Sequence, residues 1–187
     1  MKFIQINTYG QEGSWFEHYY KHNPNNPVGN KPEHITYSIK PLIPDYVTTI
    51  MNFGCSNGRD FIPFQDNYDI IGFDLVPGDY IEWVCKTDNL IYYQCSMEDY
   101  QKNNTKIEHK DLSKTLVYTN VSLFYLKDKQ EQFISYLLNK GCKNMIFQEY
   151  KSSGHGYFQP GKHKNLFKEK NYKRQDIIGF TYLDNKK

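Results

Sequence analysis

The stretch that decides the fold is Ile50-Met51-Asn52-Phe53-Gly54-Cys55-Ser56-Asn57-Gly58-Arg59-Asp60, where a short apolar strand runs straight into a turn of small residues. The next apolar run, Ile70-Ile71-Gly72-Phe73, ends on Asp74. Glycines let a backbone pass close to a ligand, and a carboxylate one strand over can accept both hydroxyls of a ribose. The pair therefore has the layout of a nucleotide-type cofactor site. A dinucleotide turn would carry its third glycine at position 59, which is Arg59, so the spacing argues against NAD or FAD. Read literally, Gly54-x-Ser56-x-Gly58 also matches a hydrolase nucleophile elbow. Ser56 would then be the nucleophile, with His155 or His163 as base and Asp128 or Glu149 to orient it. That elbow ordinarily follows several strands, whereas residues 48 to 53 read as the first strand of the sheet. A third reading makes the turn a packing device between strand and helix.

Working outward, residues 48 to 53, 70 to 74, 91 to 95, 116 to 120 and 144 to 149 read as short buried strands, with candidate helices between them. The clearest helix spans 128 to 140, where Phe133, Ile134, Leu137 and Leu138 fall at helical spacing and Gly141 supplies the stop. A further helix is expected around 172 to 178, followed by a last strand at 180 to 183. Strands alternating with helices imply an α/β fold with a single doubly wound, mostly parallel sheet. Ligands of such sheets lie beyond the carboxyl ends of the strands. That rule lines up Gly54 to Gly58, Asp74, Ser96 to Asp99, Asn120 to Ser122 and Glu149 to Tyr150 along one edge.

The chain of 187 residues suits one domain, 1–187, with 1–47 as an N-terminal leader or lid and 151–187 as a basic C-terminal segment. Trp15, His18, Tyr19 and Tyr20 make the leader aromatic, and a Pro/Asn/Gly stretch follows, so it is expected to lie over the core without joining it. The net charge of +2 hides an asymmetry: residues 1 to 150 carry 14 Lys/Arg against 18 Asp/Glu, and residues 151 to 187 carry 9 against 3. A solvated lysine-rich face explains the excess, and an anionic or nucleic-acid partner is its alternative. Cys55, Cys85, Cys95 and Cys142 form no C-x-x-C pair, so reduced, buried thiols and no metal site are expected. No apolar run approaches the roughly 20 residues of a membrane span, and the first thirty residues do not read as a signal peptide. The cytoplasm is the expected location.

Residues 45 to 183 resemble the class I S-adenosylmethionine-dependent methyltransferases. Asn52 to Asp60 resembles that family's first motif, an acid followed by Gly-x-Gly-x-Gly, with Asn52 in place of the acid and Ser56 in place of the middle glycine. Ile70 to Leu75 resembles the second, whose Asp74 would hold the ribose hydroxyls. Tyr93-Gln-Cys-Ser-Met-Glu-Asp resembles the third, placing Ser96 and Met97 beside the adenine. Leu116-Val-Tyr-Thr-Asn-Val-Ser resembles the fourth strand, with Tyr118 and Asn120 near the methionine end. Gly179-Phe180 resembles the turn into a late sheet strand. The resemblance implies a Rossmann-like methyltransferase fold and a cofactor site of Asn52, Gly54, Ser56, Gly58, Asp74, Leu75, Ser96, Met97, Tyr118 and Asn120 for S-adenosyl-L-methionine, with S-adenosyl-L-homocysteine as product. Only one clear strand follows the fifth, so the C-terminal part of the sheet is expected to be shortened.

Such transfer needs an aligned nucleophile, often a base, and exclusion of water. Glu149, Tyr150 and His155 are the candidate catalytic residues; His155 lies in the Ser152-Ser153-Gly154-His155-Gly156 loop. Thr119-Asn120-Val121-Ser122 lacks the prolines typical of base amino-methylation, and the chain has no Pro-Cys pair for cytosine C5 chemistry. A small-molecule acceptor methylated on O or N is the leading expectation. A nucleic-acid methyltransferase, a non-catalytic partner subunit with the same fold, and a serine hydrolase using Ser56 are the alternatives.

Overall fold

The computed structural model describes residues 1–6, 34–76, 84–85, 87–102, 105–108, 110–150, 158–171 and 177–183. Its strands are β1 (Lys2–Gln5), β2 (Thr49–Phe53), β3 (Asp69–Asp74), β4 (Leu90–Gln94), β5 (Thr115–Asn120), β6 (Asn144–Tyr150), β7 (Lys168–Asn171) and β8 (Ile177–Leu183). They form one sheet in the order β1-β4-β3-β2-β5-β6-β8-β7. Strands β1 to β6 pair in parallel; β8 is antiparallel to β6, and β7 is antiparallel to β8.

Every residue of β2 is buried, which is why its sequence after Thr49 reads as an apolar run interrupted by Asn52. Alternate side chains feed two cores. On one face Met51, Phe53, Ile71, Phe73, Val117 and Phe147 pack against Phe133, Ile134 and Leu137 of α3 (Gln130–Asn139). On the other, Ile50, Ile70, Leu116 and Ile146 are covered by Ile39, Ile43, Val47, Phe61 and Phe64. Helix α3 ends as its sequence indicates: Gly141 takes φ +84°, and Cys142 N–H bonds the Leu137 carbonyl at 2.9 Å. It starts later than the apolar spacing suggests, because Lys127 at φ 50°, ψ −120° interrupts the helical turns of Leu123–Lys129. Among the described residues two further α-helices are short: α1 (His34–Tyr37) and α2 (Met97–Gln101). Between β2 and β3 the described helical structure is a single turn, Arg59–Phe61.

Two expectations are corrected. Residues 1–47 do more than lie over the core, since β1 joins the sheet beside β4 and Ile39, Ile43 and Val47 are themselves buried core. The sheet is not shortened at its C-terminal end either, because both β7 and β8 follow β6. Strand β7 was illegible because its sequence, Lys-Glu-Lys-Asn, is that of an exposed edge, where charge discourages further pairing and leaves no apolar alternation. Of the helix expected around 172 to 178, Ile177 and Ile178 belong to β8, and 172–176 lie outside the described residues.

Candidate functional site

Strand β2 has β3 on one side and β5 on the other, and the chain leaves it in opposite directions, so the sheet's switch point is the carboxyl end of β2. The turn that follows alternates left-handed residues: Gly54 at φ 80°, Ser56 at φ 48° and Gly58 at φ 76°. Three successive N–H groups tie it to the end of β3. Gly54 and Cys55 donate to the Phe73 carbonyl at 2.7 and 3.2 Å, and Ser56 donates to Asp74 Oδ2 at 2.7 Å. Asp74 Oδ1 accepts from Leu75 N–H at 2.7 Å and Val76 N–H at 3.3 Å. Burial raises the Asp74 carboxyl above its ordinary value, against the downward pull of these three donors.

From the other side the loop after β5 closes on the same turn. A Cβ on Gly54 would stand 2.5 Å from Ser122 Cβ, so the approach of the two loops depends on that glycine. Ser122 Oγ donates to the Phe53 carbonyl. The loop is held in a strained shape, with Val121 at φ 55° and its N–H on the Gln148 carbonyl at 2.7 Å.

Beneath the turn lies Asn52, fully buried, paired in register with Gly72 on one side and Tyr118 on the other. Neither its Oδ1 nor its Nδ2 has a partner among the described residues. A second polar group surrounds Asp60, which the sequence reading passed over. Its Oδ1 accepts from Thr36 Oγ1 at 2.9 Å and its Oδ2 from Asn120 Nδ2 at 3.0 Å. Tyr118 donates to Gln148 Oε1 at 2.7 Å, and its oxygen stands 3.3 Å from Thr36 Oγ1.

Along the edge toward β4, Leu75 is 44% exposed, an apolar side chain next to the Asp74 carboxylate. The Ser96 hydroxyl caps α2, accepting from Asp99 N–H at 3.0 Å and donating to Asp99 Oδ2 at 2.7 Å, and Met97 opens that helix against the core. The structure thus brings Gly54, Ser56, Gly58 and Asp74 together, with Asn52 below and Asn120 joined through Asp60.

Glu149 lies elsewhere. It is 1% exposed and turned to the loop after β5, where Oε1 accepts from Leu123 N–H and Thr119 Oγ1, both at 3.0 Å. Burial pushes its carboxyl up to about 7, the bonds to Leu123 and Thr119 opposing the rise. The Tyr150 side chain and all of His155 fall outside the described residues, as do Trp15, His18, Tyr19 and Tyr20. His163 Nε2 pairs with Ser135 Oγ of α3 at 2.7 Å, which places it in the packing of α3. All four cysteines are free and buried. No cluster of three metal-ligating side chains, and no helix long and apolar enough to cross a membrane, occurs among the described residues. Asp60 and Gln148 were missed because each is a single polar residue whose partners are distant in sequence, and only the position of Asp60 at the end of the turn motif pointed to it; Ser122 was lined up along the edge with Asn120, but its bond to Phe53 was not foreseen.

No protein-family model matches the chain, and no curated protein matches it. Solved structures do. A TehB-like SAM-dependent methyltransferase from Corynebacterium glutamicum aligns with a TM-score of 0.57 at 11% identity, over 89% of this chain and 96% of that one. The 1,6-didemethyltoxoflavin-N1-methyltransferase of Burkholderia thailandensis, solved with 1,6-didemethyltoxoflavin and S-adenosylhomocysteine, gives 0.59 at 11% identity, over 90% and 86%. A SAM-dependent methyltransferase from Anabaena variabilis gives 0.57 at 10%, over 95% and 98%. The fold is therefore that of the class I S-adenosylmethionine-dependent methyltransferases.

Proposed function

We propose that the chain is an S-adenosylmethionine-dependent methyltransferase that acts on O or N of a small-molecule acceptor. The observation that carries this reading is the bond from Ser56 N–H to Asp74, which builds a carboxylate and a left-handed small-residue turn into one unit at the switch point. Three features of the chain fit the cofactor. Asp74, partly exposed, keeps lone pairs for ribose hydroxyls beyond the three N–H groups it accepts. The exposed Leu75 offers an apolar surface for an adenine ring. The unpartnered amide of Asn52 lies two residues before Gly54, and an unmatched buried amide of this kind costs about 1–3 kcal/mol, which suits a residue waiting for a ligand or its water.

When bound, S-adenosylmethionine supplies a sulfonium-activated methyl group. The chain's own contribution is positional. Gly54, Ser56 and Gly58 keep the backbone low over the cleft; Ser96 and Met97 shape its adenine end; Tyr118 and Asn120 its methionine end. Glu149 acts by holding Leu123 and so the strained loop that presents Asn120, while Tyr150 and His155 remain candidates to orient or deprotonate the acceptor. The B. thailandensis neighbour, solved with 1,6-didemethyltoxoflavin, is consistent with the small-molecule reading. A cytoplasmic setting belongs to the same reading.

The test is transfer of a labelled methyl group from S-adenosylmethionine into fractionated cell extract. Label entering the low-molecular-weight fraction supports the proposal. Label confined to nucleic acid would replace its acceptor, and absence of label in every fraction despite cofactor binding would favour the non-catalytic partner subunit.

A further inference from the structure

The carboxylate of Asp60 meets three elements that are far apart in sequence. It sits on the helical turn Arg59–Phe61 that completes the glycine turn, it accepts from Thr36 of α1, and it accepts from Asn120 at the end of β5. It is 9% exposed, and among the described residues the cation recorded beside it is Arg59, whose Nε stands 4.0 Å away. A nearly buried carboxylate held mainly by neutral donors is a costly way to join surfaces that apolar packing could join. Its chemistry is nonetheless specific: Thr36 Oγ1 and Asn120 Nδ2 both bring hydrogens, so the joint needs two acceptor atoms on one side chain, which asparagine does not have. With one Nδ2 hydrogen of Asn120 committed to Asp60, the amide orientation is fixed, and Oδ1 and the second Nδ2 hydrogen are what it can offer a ligand.

Thr36 has no exposed surface, and residues 39, 43 and 47 carry the chain from it across the covered face of the sheet into β2. Among the described side chains of α1, Thr36 is the one that meets this edge, where it bonds Asp60 and stands 3.3 Å from the Tyr118 hydroxyl. From this geometry we infer that Asp60 is a positioning residue: it couples the placement of α1 to that of the glycine turn and to the amide orientation of Asn120. Its purpose in transfer rests on the methyltransferase reading; the coupling itself does not.

The test uses the full chain, with S-adenosylhomocysteine as probe. Amide hydrogen exchange is followed in the unliganded protein for native, Asp60→Ala, Thr36→Val and Thr36→Ser forms, and probe affinity is measured by calorimetry. Thr36→Val removes the hydroxyl without changing side-chain volume and alters no residue assigned to the cofactor. It should nevertheless speed exchange of the turn amides at 54–61 as well as those at 36–39, leave α3 at native rates, and weaken the probe about fivefold, the worth of one hydrogen bond. Thr36→Ser should restore both, and Thr36→Val should add nothing further in the Asp60→Ala background. Native exchange at 54–61 in Thr36→Val, or effects of Thr36→Val and Asp60→Ala that simply add, would overturn the coupling; should Asp60→Ala not fold, the Thr36 pair decides alone. Failure of the methyltransferase reading gives a different result: no probe binding by native protein, with turn and α1 exchange still linked, upholds the joint and removes the cofactor.

Discussion

Oδ2 of Asp74 accepts a 2.7 Å hydrogen bond from the backbone N–H of Ser56, so the carboxylate that ends β3 fastens the turn that follows β2. With Leu75 and Val76 also donating to it, an amide at this position would place an N–H against a backbone N–H in either orientation. Asp74→Asn is therefore expected to be no milder than Asp74→Ala. Each should lower unfolding free energy by about 1–3 kcal/mol in urea titrations, since the backbone donors lose their acceptor. A native-like Asp74→Asn protein would show that the carboxylate does not hold the turn.

Gly54→Ala is expected to cost more than about 2 kcal/mol, because it adds a left-handed penalty of about 1–2 kcal/mol to a 2.5 Å clash with Ser122 Cβ. Gly141→Ala is the control. It shares the positive φ but has nothing within 4 Å of an added Cβ, and should cost only the backbone part, about 1 kcal/mol. Combining Gly54→Ala with Ser122→Gly should recover the clash component, less the roughly 1 kcal/mol lost with the Ser122 Oγ bond to the Phe53 carbonyl, which Ser122→Gly by itself measures. Denaturant midpoints of these proteins check the series; equal costs at 54 and 141 would mean the two loops do not meet.

Ser56 occupies φ 48° without being glycine. Ser56→Gly should leave cofactor affinity within about twofold, because the backbone N–H that bonds Asp74 is kept, and should leave stability within about 1 kcal/mol, because relief of left-handed strain and the added freedom of the unfolded chain nearly offset each other. A nucleophilic serine would lose all activity on the same change. Turnover of native and variant protein separates the two roles.

Glu149 gives the pH dependence. Its carboxyl is raised from 4.5 to about 7, chiefly by burial. Between these values the unfolded chain is ionised while the folded chain still holds the proton. Stability from this group is thus full below about pH 4.5 and is lost as pH rises through 7, on the order of 3 kcal/mol in all. Asp74, also raised, acts with the same sign. Glu149→Gln should flatten the profile over that window, measured as urea midpoints from pH 4 to 8. An unchanged slope would place the titrating group elsewhere.

The parts of this fold that could be read in the sequence are those where one local pattern suffices. The five central strands, the apolar spacing of α3 and its Gly141 stop, and the Gly54 to Asp74 succession all satisfy that condition. Strand β1 and strand β7 did not, because edge strands have one partner and are largely exposed, so four residues, Lys-Phe-Ile-Gln in one and Lys-Glu-Lys-Asn in the other, carry no period. The role of Asp60 and the contact of Ser122 were invisible for another reason: Asp60 is joined to partners 24 and 60 positions away, and Ser122, although lined up along the edge, bonds a carbonyl 69 positions back. Glu149 was placed at the correct edge but on a side chain that faces the loop, since the alternation of a fully buried strand does not reveal which face is which.

The most direct measurement is a calorimetric titration of S-adenosylhomocysteine into the full native chain and into Asp74→Ala. Saturable one-to-one binding by the native protein, weakened at least tenfold by the substitution in a chain that remains folded, is the expected result. No binding at millimolar ligand, or equal binding by both proteins, would contradict the assignment of the turn and Asp74 to the cofactor.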